Sequence, residues 1–319
     1  MTTNPIRSIL AATDLSEASD EVLRAAGALA AFTGAELHVL YAFELPPPPY
    51  LEEGAAEVPT FEGRIRDARR GLDEQIARMV PDAVRLASRE LQIYVPHRAI
   101  VERAQAVSAD LIVLGPHRRR SGPGEFLGGT ADRVIRTAEV PCLVVRRYLT
   151  LPLRRVVAPL DLSEPSRGAM DVAVSWGTAL AGHPDDGFPA LDLRVVHVLP
   201  ALFVHDLPSG RATVGPDLHR QVEESLARSG RASNVLVREE LLWGEGAEEE
   251  ITAYAEREGA DLIVLATHGH GLLKRALLGS VASGVARRAC CSVLLVPPVL
   301  RRAEAGVEEV GCPAEAVGV

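Results

Sequence analysis

The richest stretch of chemistry in this chain is Ala266-Thr-His-Gly-His-Gly-Leu-Leu-Lys-Arg-Ala-Leu-Leu-Gly-Ser280. Glycines at 269, 271 and 279 let the backbone approach a ligand closely or turn through positive φ. Lys274 and Arg275 add positive charge, and Ser280 adds a hydroxyl. A helix is expected to follow, near Val281 to Ala289. The first amides of such a helix lack helical acceptors, and its dipole attracts anions. A phosphate chain suits this loop; a flexible turn with a routine cap is the plainer alternative. The loop is not a Walker-type P-loop, because no Gly-Lys-Ser/Thr ends it. It is not a dinucleotide Gly-x-Gly-x-x-Gly turn either, since it does not follow the first strand of its copy.

Asp161 is the second chemical candidate. It ends a short apolar run, where a carboxylate could accept hydrogen bonds from a ribose or a base. It could equally cap the helix that follows. Both features sit at strand ends on what should be one edge of a sheet, and that coincidence favours a nucleotide.

The elements that must position these residues occur twice. Ser8-Ile-Leu-Ala-Ala-Thr-Asp-Leu-Ser-Glu-Ala-Ser19 is echoed by Arg155-Val-Val-Ala-Pro-Leu-Asp-Leu-Ser-Glu-Pro-Ser166, which puts Asp14 and Asp161 147 positions apart (161 minus 14). Ala109-Asp-Leu-Ile-Val-Leu-Gly-Pro-His117 is echoed by Ala260-Asp-Leu-Ile-Val-Leu-Ala-Thr-His268, an offset of 151 between Asp110 and Asp261 (261 minus 110). A repeat this long means tandem domains. The expected organisation is one domain over 1–148, a second over 149–299 and a loosely held tail over 300–319.

Apolar runs of strand length alternate with helical spacing in each copy. In copy one, strands are expected near Ile6–Thr13, Leu37–Phe43, Leu91–Val95, Leu111–Gly115 and Cys142–Arg146. Helices are expected near Glu17–Thr33, Phe61–Met79, Ile100–Val107 and Ala131–Ala138. Copy two repeats the order, with a helix starting at Pro216 among others. The fold class is therefore α/β: two doubly wound domains, each with a five-stranded, mostly parallel sheet covered on both faces. Such sheets bind ligands beyond the carboxyl ends of their strands.

Composition narrows the partners. A net charge of −9 argues against a general nucleic-acid or anionic-membrane binder. No apolar stretch reaches the roughly 18 residues needed to span a bilayer, and no signal peptide is visible. The four cysteines form no Cys-x-x-Cys pair, which fits a reducing compartment and a cytoplasmic placement. His268 and His270 lack a nearby third ligand, so no metal site is expected. His38 and His197 read as structural histidines, and Glu248, Glu249 and Glu250 as the acidic first turn of a helix.

With these motifs in hand, the chain resembles a tandem universal stress protein. Members of that family carry Gly-x-x-Gly, nine residues, then Gly-Ser/Thr around an ATP phosphate chain. Copy two matches with Ala266 in the first position, then Gly269, Gly279 and Ser280. The resemblance implies an ATP site built from Asp161, Val198, Ala266, Thr267, His268, Gly269, Gly279, Ser280 and Val281, with magnesium as the nucleotide's counter-ion. It also implies that the last strands of the two copies pair antiparallel, as an internal pseudo-dimer that leaves room for a homodimer.

Copy one departs from the pattern. Its loop, Gly115-Pro-His-Arg-Arg-Arg-Ser-Gly-Pro-Gly-Glu-Phe-Leu-Gly-Gly-Thr130, places Arg118 where the second glycine belongs and Gly129 at the Ser/Thr position. Arg118, Arg119 and Arg120 could draw phosphates, but a solvated charged turn is favoured. The corresponding weaker set is Asp14, Ala42, Gly115, His117, Gly128 and Thr130. The expected function is a cytoplasmic, ATP-binding regulator of a stress response, with nucleotide held mainly by copy two. A nucleotide hydrolase or phosphotransferase and a nucleotide-free scaffold stay open as alternatives, and no catalytic residue is assigned.

Overall fold

In the computed structural model, residues 5–44, 61–115, 117–118, 125–146, 149–182, 191–200, 207–229, 235–269 and 278–298 are described. The expected tail and the arginines at 119 and 120 lie outside them.

In copy one the chain runs β1 (Ser8–Thr13), α1 (Glu17–Thr33), β2 (Glu36–Phe43), α2 (Phe61–Met79), β3 (Leu86–Ile93), α3 (Pro96–Ala106), β4 (Leu111–Leu114), a short pair β5 (His117–Arg118) and β6 (Glu125–Phe126), α4 (Gly129–Thr137) and β7 (Cys142–Val144). Copy two runs β8 (Arg155–Pro159), α5 (Glu164–Leu180), β9 (Leu191–Pro200), α6 (Leu207–Arg228), β10 (Val235–Gly244), α7 (Ala247–Glu258), β11 (Leu262–Ala266), α8 (Ser280–Arg288) and β12 (Ser292–Val296).

Ten of these strands form one sheet, ordered β10-β9-β8-β11-β12-β7-β4-β1-β2-β3. Each half is parallel within itself, and the halves join through the antiparallel pair β12–β7. Leu143 faces Leu294 there, an offset of 151 (294 minus 143), so the pseudo-two-fold axis passes between them. The expected five strands per copy and the internal pseudo-dimer are both present.

Buried β4 and β11 carry no polar residue, because both of their faces are covered. One face packs Leu23, Leu29, Leu72, Met170 and Leu218 from α1, α2, α5 and α6. The other packs Ile100, Val134, Tyr254 and Val285 from α3, α4, α7 and α8. Each of these large side chains contributes roughly 1.5–3 kcal/mol on burial. The second echo is structural: Asp110 Oδ2 accepts from the Arg7 and Ser8 amides at 2.8 and 3.0 Å, and Asp261 Oδ2 from those of Arg154 and Arg155 at 2.8 and 2.9 Å. Each carboxylate pins the first strand of its copy to the fourth. Gly34 ends α1 in the left-handed conformation, φ 73°, as expected of a helix-terminating glycine.

Three expectations need correction. β3 begins at Leu86 rather than Leu91. It is an edge strand, so Ser88, Arg89 and Glu90 can stand in it without a buried polar penalty. α6 begins at Leu207 and carries Pro216 inside it; the buried stripe Leu218, Val222 and Leu226 anchors the helix after the proline. The copy-one loop is not a simple turn: β5 and β6 pair antiparallel, His117 with Phe126 and Arg118 with Glu125.

Candidate functional site

A cavity of about 340 Å³ opens beyond the carboxyl ends of β8, β9 and β11, against the first turns of α7 and α8. Small-molecule sites span about 300–1,000 Å³, so this one suits a compact ligand. All nine residues singled out in copy two line it: Asp161, Val198, Ala266, Thr267, His268, Gly269, Gly279, Ser280 and Val281. His270, Gly271, Lys274 and Arg275 lie outside the described residues.

Part of the cavity wall is apolar, formed by Val196, Val198, Ile251 and Leu265. The sequence reading passed over Val196, Ala247 and Ile251. Ala247 and Ile251 stand four apart on one face of α7, and that spacing was the available signal. The start of α8, Gly279 to Ala282, also lines it. The helical ladder begins with Ser283 N–H donating to Gly279 O at 2.9 Å, which leaves the amides of Ser280, Val281 and Ala282 without an intrahelical acceptor.

The loop's amides are not all available to a ligand. Gly279 N–H donates to Thr267 O at 2.8 Å, and Thr267 N–H donates to Val296 O at 2.9 Å. These two bonds close the loop's ends on each other and on β12. Neither of these two amides is open to a ligand.

The glycines act by close approach. Neither Gly269 nor Gly279 has a positive φ. A Cβ at 269 would collide with Asp161 Oδ2, and one at 279 would stand 3.2 Å from Thr267 O. Gly115 plays a related part in copy one, where a Cβ would meet Val22 Cγ2 at 2.9 Å. Copy two has Ala169 in the place of Val22 (169 minus 22 is again 147) and accommodates Ala266.

Asp161 does not itself cap α5. Its Oδ1 accepts from the Ser163 amide at 3.0 Å and from the Ser163 hydroxyl at 2.5 Å. Ser163 is the cap, accepting from Ser166 N–H at 3.3 Å. The turn forces Leu162 to φ 66°, and Leu15 after Asp14 to φ 61°. A left-handed leucine costs about 1–2 kcal/mol. That both copies hold this strain at the ligand edge marks the aspartate–serine turn as a built feature.

The histidines are tied structurally. His197 Nδ1 lies 2.7 Å from Leu160 O, His268 Nδ1 2.8 Å from Thr267 Oγ1, and His38 Nδ1 2.8 Å from Ser88 Oγ. Among the described residues, no three His, Cys, Asp or Glu side chains are grouped to hold a metal ion. No helix among them is long and apolar enough to cross a membrane.

In copy one, Asp14 and Ala42 stand at the ends of β1 and β2, Gly115 follows β4, and His117 lies in β5. Gly128 caps α4, and Thr130 is in its first turn. Burial pushes the Asp14 carboxyl up, but hydrogen bonds from Ser16 and Ser19 outweigh it and hold it below the usual carboxylate value. Here the backbone after β4 is paired, His117 with Phe126 and Arg118 with Glu125.

Residues 5–146 and 152–297 each match the model of the universal stress protein family. The chain belongs to that family. It is 28% identical over 195 residues to universal stress protein Slr1230 of Synechocystis, covering 58% of this chain and 57% of that one. It is 48% identical over 62 residues to universal stress protein MJ0531 of Methanocaldococcus jannaschii, covering 19% of this chain and 36% of the relative. The chain thus spans less than two thirds of the length of these relatives. A universal stress protein from Archaeoglobus fulgidus superposes with a TM-score of 0.62 at 18% identity, over 91% of this chain and 98% of its own. Protein PA1789 from Pseudomonas aeruginosa, described as functionally unknown, superposes at 0.59 with 19% identity, over 92% and 93%. These two likenesses concern the fold.

Proposed function

We propose that the copy-two cavity binds an adenine nucleotide and that the protein is an ATP-binding regulator in a stress response. The observation that carries this is the union of two chemistries in one cavity. An apolar slot of Val196, Val198, Ile251 and Leu265 suits a purine, and the first amides of α8 suit its phosphates. The positions of Gly269 and Gly279 support it, because a Cβ at 269 would meet Asp161 Oδ2 and one at 279 would press on Thr267 O, both atoms of cavity-lining residues. Asp161 and Val198 also line the cavity; Asp161 would accept hydrogen bonds from a ribose and Val198 would meet the adenosine. Magnesium would accompany the phosphates as their counter-ion.

The two copies are unequal in this reading. Copy two is the competent site; copy one, with His117 and Arg118 paired to Phe126 and Glu125 after β4, is weak or altered. ATP acts as a ligand that favours one conformation over another, so signalling follows from differential binding. The stress role comes from family membership, and Cys142, Cys290 and Cys291 are in no disulfide among the described residues, which suits a reducing cytoplasm.

Native mass spectrometry of gently purified protein tests the proposal. One adenine nucleotide per chain, removed by Gly279→Val with the fold intact, is the expected result. A chain that stays ligand-free in millimolar ATP would overturn it.

A further inference from the structure

The helix that faces the cavity in copy two is held from behind by copy one. Arg146, two residues past the end of β7, reaches across the junction between the copies. Its Nη1 donates to Ala286 O of α8 at 3.0 Å. Its own amide donates to Ser292 Oγ, at the start of β12, at 3.4 Å. The backbone of β6, also from copy one, lies alongside α8. Ala286 is in the last turn of α8, whose first turn supplies Ser280, Val281 and Ala282 to the cavity.

The contact is one-way. The pseudo-two-fold axis relates residues by 151 positions, as Leu143 and Leu294 show. On that register Ala286 corresponds to Ile135 of α4 (286 minus 151), and Arg146 to Pro297 (146 plus 151). Proline carries no donor on its side chain or its nitrogen. Copy two therefore cannot return from this position the hydrogen bond that copy one makes to α8. A guanidinium among the last carbonyls of a helix also complements its dipole, and α8 has nine residues, so its two ends are close. Arg146 thus fixes where α8 sits and reinforces the positive end that faces the cavity.

We propose that Arg146 is a positioning residue for the copy-two site, through which copy one sets the affinity of copy two for phosphate-bearing ligands. This rests on the nucleotide reading above and adds a direction to it: copy one governs, and copy two binds. The one-way bond gives the departures from the binding pattern in copy one a use, since a copy that has ceded the ligand can still hold the helix that keeps it.

Isothermal titration calorimetry on the full chain tests this, with ATP and adenosine as separate probes against the unaltered protein, Arg146→Met and Arg146→Lys. Arg146→Met is expected to weaken ATP binding roughly two- to fivefold while leaving adenosine binding unchanged. Arg146→Lys keeps the charge and is expected to recover most of the loss. Unaltered ATP affinity in Arg146→Met would overturn the inference alone. So would an equal loss for ATP and adenosine, which would mark a general disturbance of the junction. Absence of ATP binding by the unaltered protein would instead overturn the nucleotide reading, and this inference with it.

Discussion

Asp161 Oδ2 rests against the space where a Cβ of residue 269 would stand, so any side chain at 269 would force the carboxylate or the loop to shift. The same aspartate organises the turn into α5 through its other oxygen. One carboxylate thus couples the helix start on one face of the sheet to the loop at its edge.

Gly269→Ala is expected to push the two apart. The added methyl displaces Asp161 or the loop, and ATP affinity should fall by roughly tenfold or more. The melting temperature should change little, because Gly269 itself is only half-buried. Calorimetry beside a thermal melt separates the effects; a lower melting temperature with unaltered affinity would contradict the assignment.

Gln75 and Gln221 occupy matching places in α2 and α6, and their substitutions should have opposite consequences. Gln75 accepts from Thr13 Oγ1 at 2.6 Å and donates to Asp20 Oδ1 at 2.7 Å and Ser16 O at 3.2 Å. Copy two has Leu160 in place of Thr13 and Arg167 in place of Asp20. Gln221 is 3% exposed there, and neither amide atom has a hydrogen-bond partner among the described residues. Gln75→Leu should destabilise by about 1–3 kcal/mol, whereas Gln221→Leu should be neutral or stabilising by about 1 kcal/mol. Urea unfolding of the two variants decides this, and equal losses would contradict it.

His38 gives a pH dependence. Burial, reinforced by Arg103, pushes its imidazole below the ordinary value, and Glu36 and Glu90 offset only part of that. The unfolded chain takes up this proton near pH 6.5, before the folded one does. The associated stability is intact above that pH and is lost as pH falls through the window beneath it. His38→Gln should flatten the stability profile below about pH 6.5. Urea midpoints measured across that window check this; an unaltered slope in the variant would contradict it.

The repeat made much of the fold legible. The Asp14–Asp161 and Asp110–Asp261 echoes located the first and fourth strands of each copy, and the apolar runs between them were long enough to read directly. The line of the cavity was legible for a related reason: strand ends, glycines and a helix start were all visible as sequence. Polar edges hid the rest. β3 carries Ser88, Arg89 and Glu90 because its outer edge is unpaired in the sheet, so no alternation marked its start. Pro216 read as a helix start, yet the helix runs through it. The left-handed leucines at 15 and 162 depend on a side-chain turn that residue propensity does not foretell. The β5–β6 pairing depends on backbone register across a loop of arginines and glycines.

The central claim is that the start of α8 anchors a nucleotide in copy two. Calorimetric titration of ATP into the full chain and into Gly279→Val tests it most directly, because the added side chain would crowd Thr267 O and the His268 backbone at the start of the helix. One strong site per chain, lost in the variant while its circular dichroism and melting stay unaltered, is the result the account predicts. Equal ATP affinity in the two proteins would contradict it.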